Sequence, residues 1–265
     1  MRKMRGGCQA HLLETDTGQR YVVKFSNNPQ GRRTLLNEWL GHRDTEYLGI
    51  RSSGIAVVRC TQSFLDANPD VYIECAGSRD QPLPGLHFGS LYPDTPKEVV
   101  IYDIFPSKLM GKVLNLGDFV GMLAVDKWLG NADARQAIFH VAPDDGFQVK
   151  RAAEDSTSRR YLATMIDFGQ IFNGEHWDFV DSPLLGFYRD PGVYAGMDYQ
   201  RDVDPWIVKV RQFPERELQR IADEIPSVWI GKHRLEFEHV LCQLLRRRAR
   251  IGDLMQAHPS SVPSF

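Results

Sequence analysis

Short runs of alternating apolar and polar residues dominate the first third of the chain. The runs at residues 11–14 and 19–25 flank the turn Asp16-Thr17-Gly18, where Gly18 can adopt the left-handed backbone conformation that a tight turn needs. This arrangement predicts a β-hairpin. Three further runs, at residues 57–60, 71–75 and 86–92, are separated by Asn, Asp, Pro and Gly residues and predict additional short strands.

Apolar residues recur at helical spacing in later segments. Residues 32–48 are followed by Gly49 and predict an amphipathic helix. Residues 116–129 predict a second helix that begins at an Asn115 cap and ends near Gly130. After a loop rich in Gly, Asp and Pro at residues 173–205, two C-terminal helices are predicted at residues 215–224 and 234–250.

One strand pair is embedded in this helical part of the chain. Residues 137–141 and 161–166 predict the two strands, and a charged loop that contains Pro143-Asp144-Asp145-Gly146 joins them. A β-rich segment followed by a mostly helical one is typical of an α+β protein. We therefore predict a small lobe at residues 1–92 and a larger one at residues 93–265, with a hinge between Leu86 and Phe105.

Composition narrows the class of protein. Apolar residues make up 42% and charged residues 25% of the 265 residues, which excludes disordered, collagen-like and coiled-coil chains. A net charge of −2 gives no reason to expect a nucleic-acid or acidic-membrane partner, and Arg246-Arg247-Arg248 with Arg250 predicts a solvated helix end. The four cysteines lack C-x-x-C spacing and no apolar stretch approaches the ~20 residues of a membrane-spanning helix, so we expect reduced thiols and a cytoplasmic protein.

Five polar residues occur in an order that points to phosphoryl transfer. Lys24 lies on a predicted strand and Glu38 on the next helix. Asp126 and Asn131 follow at D-x-x-x-x-N spacing after a helix, and Asp167 starts an Asp-Phe-Gly sequence after a strand. Each residue alone is more often structural, but the joint order resembles the signature set of protein kinases.

Each of these residue types suits one step of that chemistry. Asp167 and Asn131 supply carboxylate and amide oxygens for Mg²⁺, which prefers hard oxygen ligands. Asp126 stays free of metal and accepts the proton of the incoming hydroxyl. Lys24, held by an ion pair with Glu38, contacts the phosphates of ATP from the opposite side of the cleft.

Three stretches carry a more specific resemblance. They are Arg5-Gly6-Gly7-Cys8-Gln9-Ala10-His11, Leu86-His87-Phe88-Gly89-Ser90 and Asp126-Lys127-Trp128-Leu129-Gly130-Asn131-Ala132-Asp133. They resemble motifs of the HipA-like kinases, a bacterial branch of the protein-kinase-like fold whose short phosphate loop has a Gly-x-Gln core, and the resemblance covers nearly the whole chain. It implies a bilobal fold and ATP-dependent phosphorylation of a protein Ser or Thr, with Gly6, Gly7, Cys8, Gln9 and Lys24 binding the nucleotide.

Departures from the kinase pattern leave alternatives open. Ala124-Val125 precede Asp126 where protein kinases have His-Arg, and Cys8 stands where some relatives carry a self-phosphorylated serine. A small-molecule kinase and a nucleotide-binding pseudokinase with an antitoxin-like partner are the other functions considered. Asp133 and Arg135 either pair with each other or leave Asp133 to bind magnesium.

The loop after the predicted metal aspartate also has two interpretations. Residues 172–194 are unusually apolar for a solvated loop and include Trp177 and Phe187. They predict either a docking surface for a protein substrate or a segment that packs against the C-terminal helices.

Overall fold

The computed structural model describes residues 2–75, 77–93, 100–142 and 159–256 of the chain. The predicted turn Pro143-Asp144-Asp145-Gly146 and residues 94–99 of the predicted hinge lie outside the described residues. Within them the chain is an α+β protein, in which most strands precede residue 92 and most helices follow residue 117.

The strands form one sheet and two separate hairpins. The described strands are β1 (Arg2–Lys3), β2 (His11–Glu14), β3 (Arg20–Lys24), β4 (Ile55–Cys60), β5 (Ile73–Cys75), β6 (Ser78–Asp80), β7 (Gly85–Leu91), β8 (Gln136–Val141) and β9 (Tyr161–Ile166). An antiparallel sheet has the order β1-β2-β3-β7-β4, while β5 pairs with β6 and β8 pairs with β9.

The described α-helices are α1 (Arg33–Tyr47), α2 (Gln62–Ala67), α3 (Gly117–Leu129), α4 (Asp204–Arg211), α5 (Glu215–Asp223), α6 (Ser227–Ile230), α7 (Arg234–Arg247) and α8 (Ile251–Gln256). Short 3-10 turns lie at Ser107–Lys112, Ile171–Asn173, Pro191–Tyr194, Gly231–His233 and Arg248–Arg250, and a π turn lies at Tyr199–Val203. The predicted C-terminal helices are present as α5 and α7, whereas α4 falls at the end of and beyond the predicted loop.

The predicted hairpin is confirmed as β2 and β3. His11 pairs with Val23 and Glu14 pairs with Arg20, and Gly18 in the turn has a φ of 77°. The three other predicted strands of this part are present as β4, β5 and β7. Helix α2 escaped prediction, although the Thr61 hydroxyl caps it by accepting a hydrogen bond from the Phe64 N–H at 3.1 Å.

Helix α1 is buried around most of its circumference. It agrees with the predicted helix, and Gly49, with a φ of 81°, follows its end. Leu36 and Leu40 are buried, as expected for an amphipathic helix, but so are Asn37 and Glu38. Because buried polar groups need partners, α1 carries polar contacts into the core as well as apolar ones.

The predicted cap of α3 is wrong, although the predicted helix is present. The Asn115 side chain accepts a hydrogen bond from the Ala163 N–H and donates one to the Ala163 carbonyl, each at 2.9 Å, so it ties the helix start to β9 and caps no helix N–H. The predicted end of this helix is confirmed, because Gly130 ends α3 in the left-handed conformation with a φ of 61°.

One arginine of α7 corrects another expectation, whereas Arg246 and Arg250 are exposed as predicted. Arg247 is only 6% exposed and donates to the carbonyls of Trp128 and Lys127 at 2.9 and 2.8 Å. It also forms an ion pair with Asp181 at 2.6 Å. A residue predicted to face water therefore fixes the end of α3 against α7.

None of the helices in the described part of the chain has both the length and the apolar character needed to cross a membrane.

Candidate functional site

A buried ion cluster joins three elements that are distant in sequence. Lys24 lies at the end of β3, Glu38 on α1 and Asp167 directly after β9. The Lys24 ammonium contacts Glu38 Oε1 and lies 2.8 Å from Asp167 Oδ1. The predicted Lys24–Glu38 contact is present, but Asp167 touches the same lysine, which corrects its predicted position across the cleft.

The cluster is charged at neutral pH. Burial alone would lower the pKa of Lys24, but the carboxylates of Asp167 and Glu38 raise it well above its usual value. Burial would raise the pKa of Glu38, whereas Lys24 and His42 lower it far below the usual value. The ammonium therefore stays protonated and Glu38 stays ionised.

Glu38 also positions the turn that carries Asp167. Its Oε1 accepts a hydrogen bond from the Phe168 N–H at 3.0 Å, and its Oε2 lies 3.4 Å from His42 Nε2. Asp167 has a φ of 62°, a left-handed conformation that Asp tolerates better than most residues. The side chain of Asp167 remains 36% exposed, so the cluster has one solvent-facing carboxylate.

The predicted phosphate loop lies between β1 and β2. Gly6 has a φ of 127°, which glycine adopts readily, and a Cβ at Gly7 would lie 2.7 Å from Gln30 Nε2. Burial raises the pKa of the Cys8 thiol, and the charges of Lys24 and Asp167 also act on it. The loop is thus close enough to the ion cluster for electrostatic coupling.

The side chain of Gln9 is hydrogen-bonded within the protein, and its role in binding nucleotide stays a prediction. Its Nε2 donates to the Glu74 carbonyl and its Oε1 accepts from the Glu74 N–H, both at 2.7 Å. The Gln9 N–H donates to the Gly6 carbonyl at 3.1 Å, and the residue has a φ of 50°. Gln9 therefore anchors the phosphate loop to β5.

Asp126 is placed differently from the predicted proton acceptor. It is 1% exposed, and Arg135 binds both of its oxygens, with Nε 2.9 Å from Oδ2 and Nη2 2.7 Å from Oδ1. A Cβ at Gly186 would lie 2.6 Å from Asp126 Cβ, so the backbone of the following loop covers this carboxylate. In this arrangement Arg135 occupies both oxygens of the buried carboxylate, which argues against its predicted role as the proton acceptor.

Asn131 is also occupied. Its Nδ2 donates to Asp126 Oδ1 at 2.9 Å, its Oδ1 accepts from the Asp133 N–H at 3.1 Å, and the residue is 2% exposed. Its amide holds the turn after α3 in this structure, and its role as a metal ligand stays a prediction.

The sequence did not reveal that Asp126 is the partner of Arg135. Arg135 does not pair with Asp133; besides binding Asp126, its Nη1 donates to the carbonyls of Ile166 and Asp167 at 2.7 and 3.1 Å. The guanidinium lies 4.4 Å from the centre of the Phe168 ring.

The turn after α3 runs alongside the segment that follows β9. The Ala132 N–H donates to the Gln170 carbonyl at 2.9 Å, and Gln136 is opposite Ile166 in the β8–β9 pair. Asp133 and Gln136 are exposed on this turn. These two residues add exposed oxygen atoms next to the Asp167 turn.

The apolar loop at residues 172–194 packs mostly inward. Trp177 is 6% exposed, donates from Nε1 to Asn37 Oδ1 at 2.9 Å and lies 5.7 Å, centre to centre, from the Phe237 ring of α7. Phe187 is partly buried against the core. Of the two predicted interpretations, packing against the C-terminal helices describes Trp177, while Leu184 remains 66% exposed.

A magnesium ion would need ligands from outside the protein here. In the described ranges, no three His, Cys, Asp or Glu side chains lie close enough together to hold a metal ion. Nucleotide-dependent enzymes commonly bind Mg²⁺ through one or two protein oxygens, phosphate oxygens and water. The partly exposed Asp167 carboxylate could supply one such protein oxygen, with phosphate oxygens and water as the other ligands.

Comparison with known protein families and with curated proteins finds no match to this chain.

Proposed function

We propose that this protein is a Mg²⁺-ATP-dependent kinase of the HipA-like type, with a bilobal protein-kinase-like fold. The observation that carries the proposal is the buried cluster of Lys24, Glu38 and Asp167, contributed by a strand, the next helix and an Asp-Phe-Gly turn. Burying charged groups such as Lys24 and Glu38 costs folding free energy, and such clusters concentrate at functional sites. A kinase uses this combination to bind phosphates and a metal ion.

In this proposal each group of the cluster has one task. Lys24 binds phosphate oxygens of ATP, and Glu38 fixes its ammonium. Asp167 holds Mg²⁺, which neutralises charge on the transferred phosphoryl group. The backbone of Gly6, Gly7 and Cys8 lies against the phosphates, and Gln9 keeps that loop in place through Glu74.

We assign the proton acceptor to Asp133 in place of Asp126. Asp133 is exposed, whereas Asp126 is buried against Arg135. The turn that carries Asp133 is hydrogen-bonded to the segment after Asp167 through Ala132 and Gln170. A carboxylate at this position can accept the hydroxyl proton while Asp167 and the exposed amide of Gln136 are available to the metal ion.

The test combines nucleotide binding with turnover. Mg²⁺-ATP should raise the thermal midpoint of the wild-type protein, because a ligand at 100 times its Kd stabilises the folded state by about 2.7 kcal/mol. Asp167→Asn should lose most of this shift. Asp133→Asn should keep the shift but reduce phosphoryl transfer by about 10²- to 10⁴-fold.

A control variant makes this test specific. Asp190→Asn changes another carboxylate of the loops after β9, one that only caps a local turn by accepting from the Gly192 N–H, and should leave both readouts unchanged. A wild-type protein with no thermal response to Mg²⁺-ATP would contradict the proposal. Binding without any transfer would instead favour the pseudokinase.

The acceptor is tested separately. We propose a protein hydroxyl as acceptor, from the HipA-like resemblance, and incubation of a cell lysate with labelled ATP should then label a small number of protein bands. The labelling should disappear with Asp133→Asn. Label found only in small metabolites would show a small-molecule kinase.

A further inference from the structure

The side-chain amide of Asn37, next to Glu38 on α1, is completely buried and bonded at both ends. Its Nδ2 lies 2.9, 3.1 and 2.9 Å from the carbonyl oxygens of Gly169, Ile171 and Gly174. Its Oδ1 accepts a hydrogen bond from Trp177 Nε1 at 2.9 Å. All four partners belong to the ten residues after Asp167, which we call the 168–177 segment.

Neighbouring positions of α1 interlock with the same segment. A Cβ at Gly41 would lie 2.5 Å from atoms of the Phe168 side chain, so only glycine permits this approach. The His42 ring lies 4.5 Å, centre to centre, from the Phe168 ring, and Glu38 accepts from the Phe168 N–H. Residues one and four positions apart on α1 therefore hold the segment from one side.

The 168–177 segment is ordered without a phosphate group on any of its residues. In many protein kinases the segment after the metal aspartate becomes ordered when a phosphorylated residue pairs with arginine. The 168–177 segment, Phe-Gly-Gln-Ile-Phe-Asn-Gly-Glu-His-Trp, has no Ser, Thr or Tyr that could be phosphorylated. Its backbone is hydrogen-bonded instead by the neutral side-chain amide of Asn37.

We propose that Asn37 is a positioning residue that keeps Lys24, Glu38 and Asp167 assembled in the unmodified protein. Phosphoryl transfer then needs no prior phosphorylation to order the 168–177 segment. The inference rests on the proposed kinase function and adds how its site is kept in the active arrangement. Because Asn37 joins α1 to the segment directly, the helix and the Asp167 turn move together.

The main test replaces Asn37 and compares it with a matched asparagine. Asn37→Ala should lower kcat at least tenfold, change KM for ATP less than threefold, and speed amide hydrogen exchange in the 168–177 segment at least tenfold. Asn115→Ala removes a similar pair of bonds to the Ala163 backbone, away from the ion cluster, and should leave kcat within twofold. An equal loss of kcat in both variants, or unchanged exchange in the segment with Asn37→Ala, would overturn the proposal.

An isosteric variant covers the case in which Asn37→Ala does not fold. Asn37→Asp keeps the acceptor for Trp177 but puts a carboxylate against three carbonyl oxygens. Turnover should be low at pH 8 and recover towards pH 6, where the introduced carboxyl gains a proton and can donate, whereas the wild-type protein should show no such recovery. A pH profile parallel to that of the wild type would count against the proposal.

Two further measurements on the wild-type protein separate this inference from the proposed function. Phosphatase treatment, checked by mass spectrometry, should leave turnover unchanged; a loss of turnover would contradict an unmodified active state. If the wild type transfers no phosphate at all, the kinase proposal fails. Hydrogen exchange of the 168–177 segment still decides whether Asn37 holds it.

Discussion

At the scale of single residues, the Asp126–Arg135 pair stabilises the fold. Both side chains are fully buried and Arg135 also binds the carbonyls of Ile166 and Asp167. Asp126→Asn leaves a buried guanidinium without its counter-charge, so we expect a loss of about 3–5 kcal/mol in the free energy of unfolding, measured in urea. The double variant Asp126→Leu with Arg135→Met should lose less, because neither charge stays unpaired. A stability close to that of the wild type with Asp126→Asn, together with abolished transfer, would restore Asp126 as the proton acceptor.

A second single residue makes stability depend on pH. Asp44 on α1 is completely buried, and neither carboxylate oxygen has a hydrogen-bond partner in the described structure. Burial, and secondarily Glu217, raises its pKa well above the usual value. The folded state therefore binds the proton of the Asp44 carboxyl more tightly than the unfolded state does. The contribution of this proton to the free energy of unfolding is lost as pH rises above about 4.

The matching variant is Asp44→Asn. It should stabilise the protein by about 1–3 kcal/mol at pH 8 and have little effect at pH 4, as measured by urea unfolding at both values. Asp70→Asn, at an exposed position, serves as the control and should change stability little at either pH. An equal effect of Asp44→Asn at the two pH values would contradict a titrating carboxyl.

At the scale of elements, the β5–β6 hairpin supports the phosphate loop through Gln9. Two hydrogen bonds join the Gln9 side chain to the Glu74 backbone. Gln9→Ala removes about 1 kcal/mol for each of the two bonds from the ordered loop, so KM for ATP should rise about 30-fold with kcat retained. Glu74→Ala keeps the backbone groups and loses only exposed ion pairs, so its KM should match the wild type. A KM that is unchanged in Gln9→Ala would show that the loop needs no such support.

Elements were predictable where the signal is local. Gly18, Gly49 and Gly130 mark the ends of elements by backbone conformation, which depends on adjacent residues. The partners of Asn115 and Arg247 depend on which distant segment packs beside them, and a local pattern carries no such information. The sequence therefore predicted that these residues are polar and where they lie in the chain, but not their contacts.

In the candidate site, too, the contact that resembles a known pattern was predicted, whereas the contacts with distant segments were not. The Lys24–Glu38 contact was predicted because the order of polar residues along the chain resembles that of protein kinases, and the contact is present. The role of Asp126 could not be predicted, since it depends on Arg135 being buried beside it. A spacing motif identifies a turn, whereas burial decides which of its carboxylates reaches solvent.

At the scale of the whole molecule, the hydrophobic core does not follow the predicted division at residue 92. A small cluster belongs to the first sheet, α2 and β5; its members are Leu13, Val23, Phe25, Val58, Cys60, Leu65, Val71 and Ile73. The large cluster combines α1 and Phe88 of β7 with α3, β8, β9 and the C-terminal helices. Helix α1 therefore packs with the second part of the chain, although it lies in the first 92 residues.

This distribution predicts which elements unfold together. Amide hydrogen exchange of α1 should have the same opening free energy as that of α3, and β2 and β5 should open at lower cost, because they share only the small cluster. Leu65→Ala should lower the opening free energy of β4 and β5 by about 2–5 kcal/mol and leave that of α1 unchanged. Leu123→Ala should lower the opening free energies of α1 and α3 together. Both leucines are completely or almost completely buried, so the two variants are matched in chemistry and differ in the cluster they perturb. If α1 instead followed β2 and β3 in the Leu65 variant, the helix that carries Asn37 and Glu38 would belong energetically to the sheet, and the site would open with the small cluster.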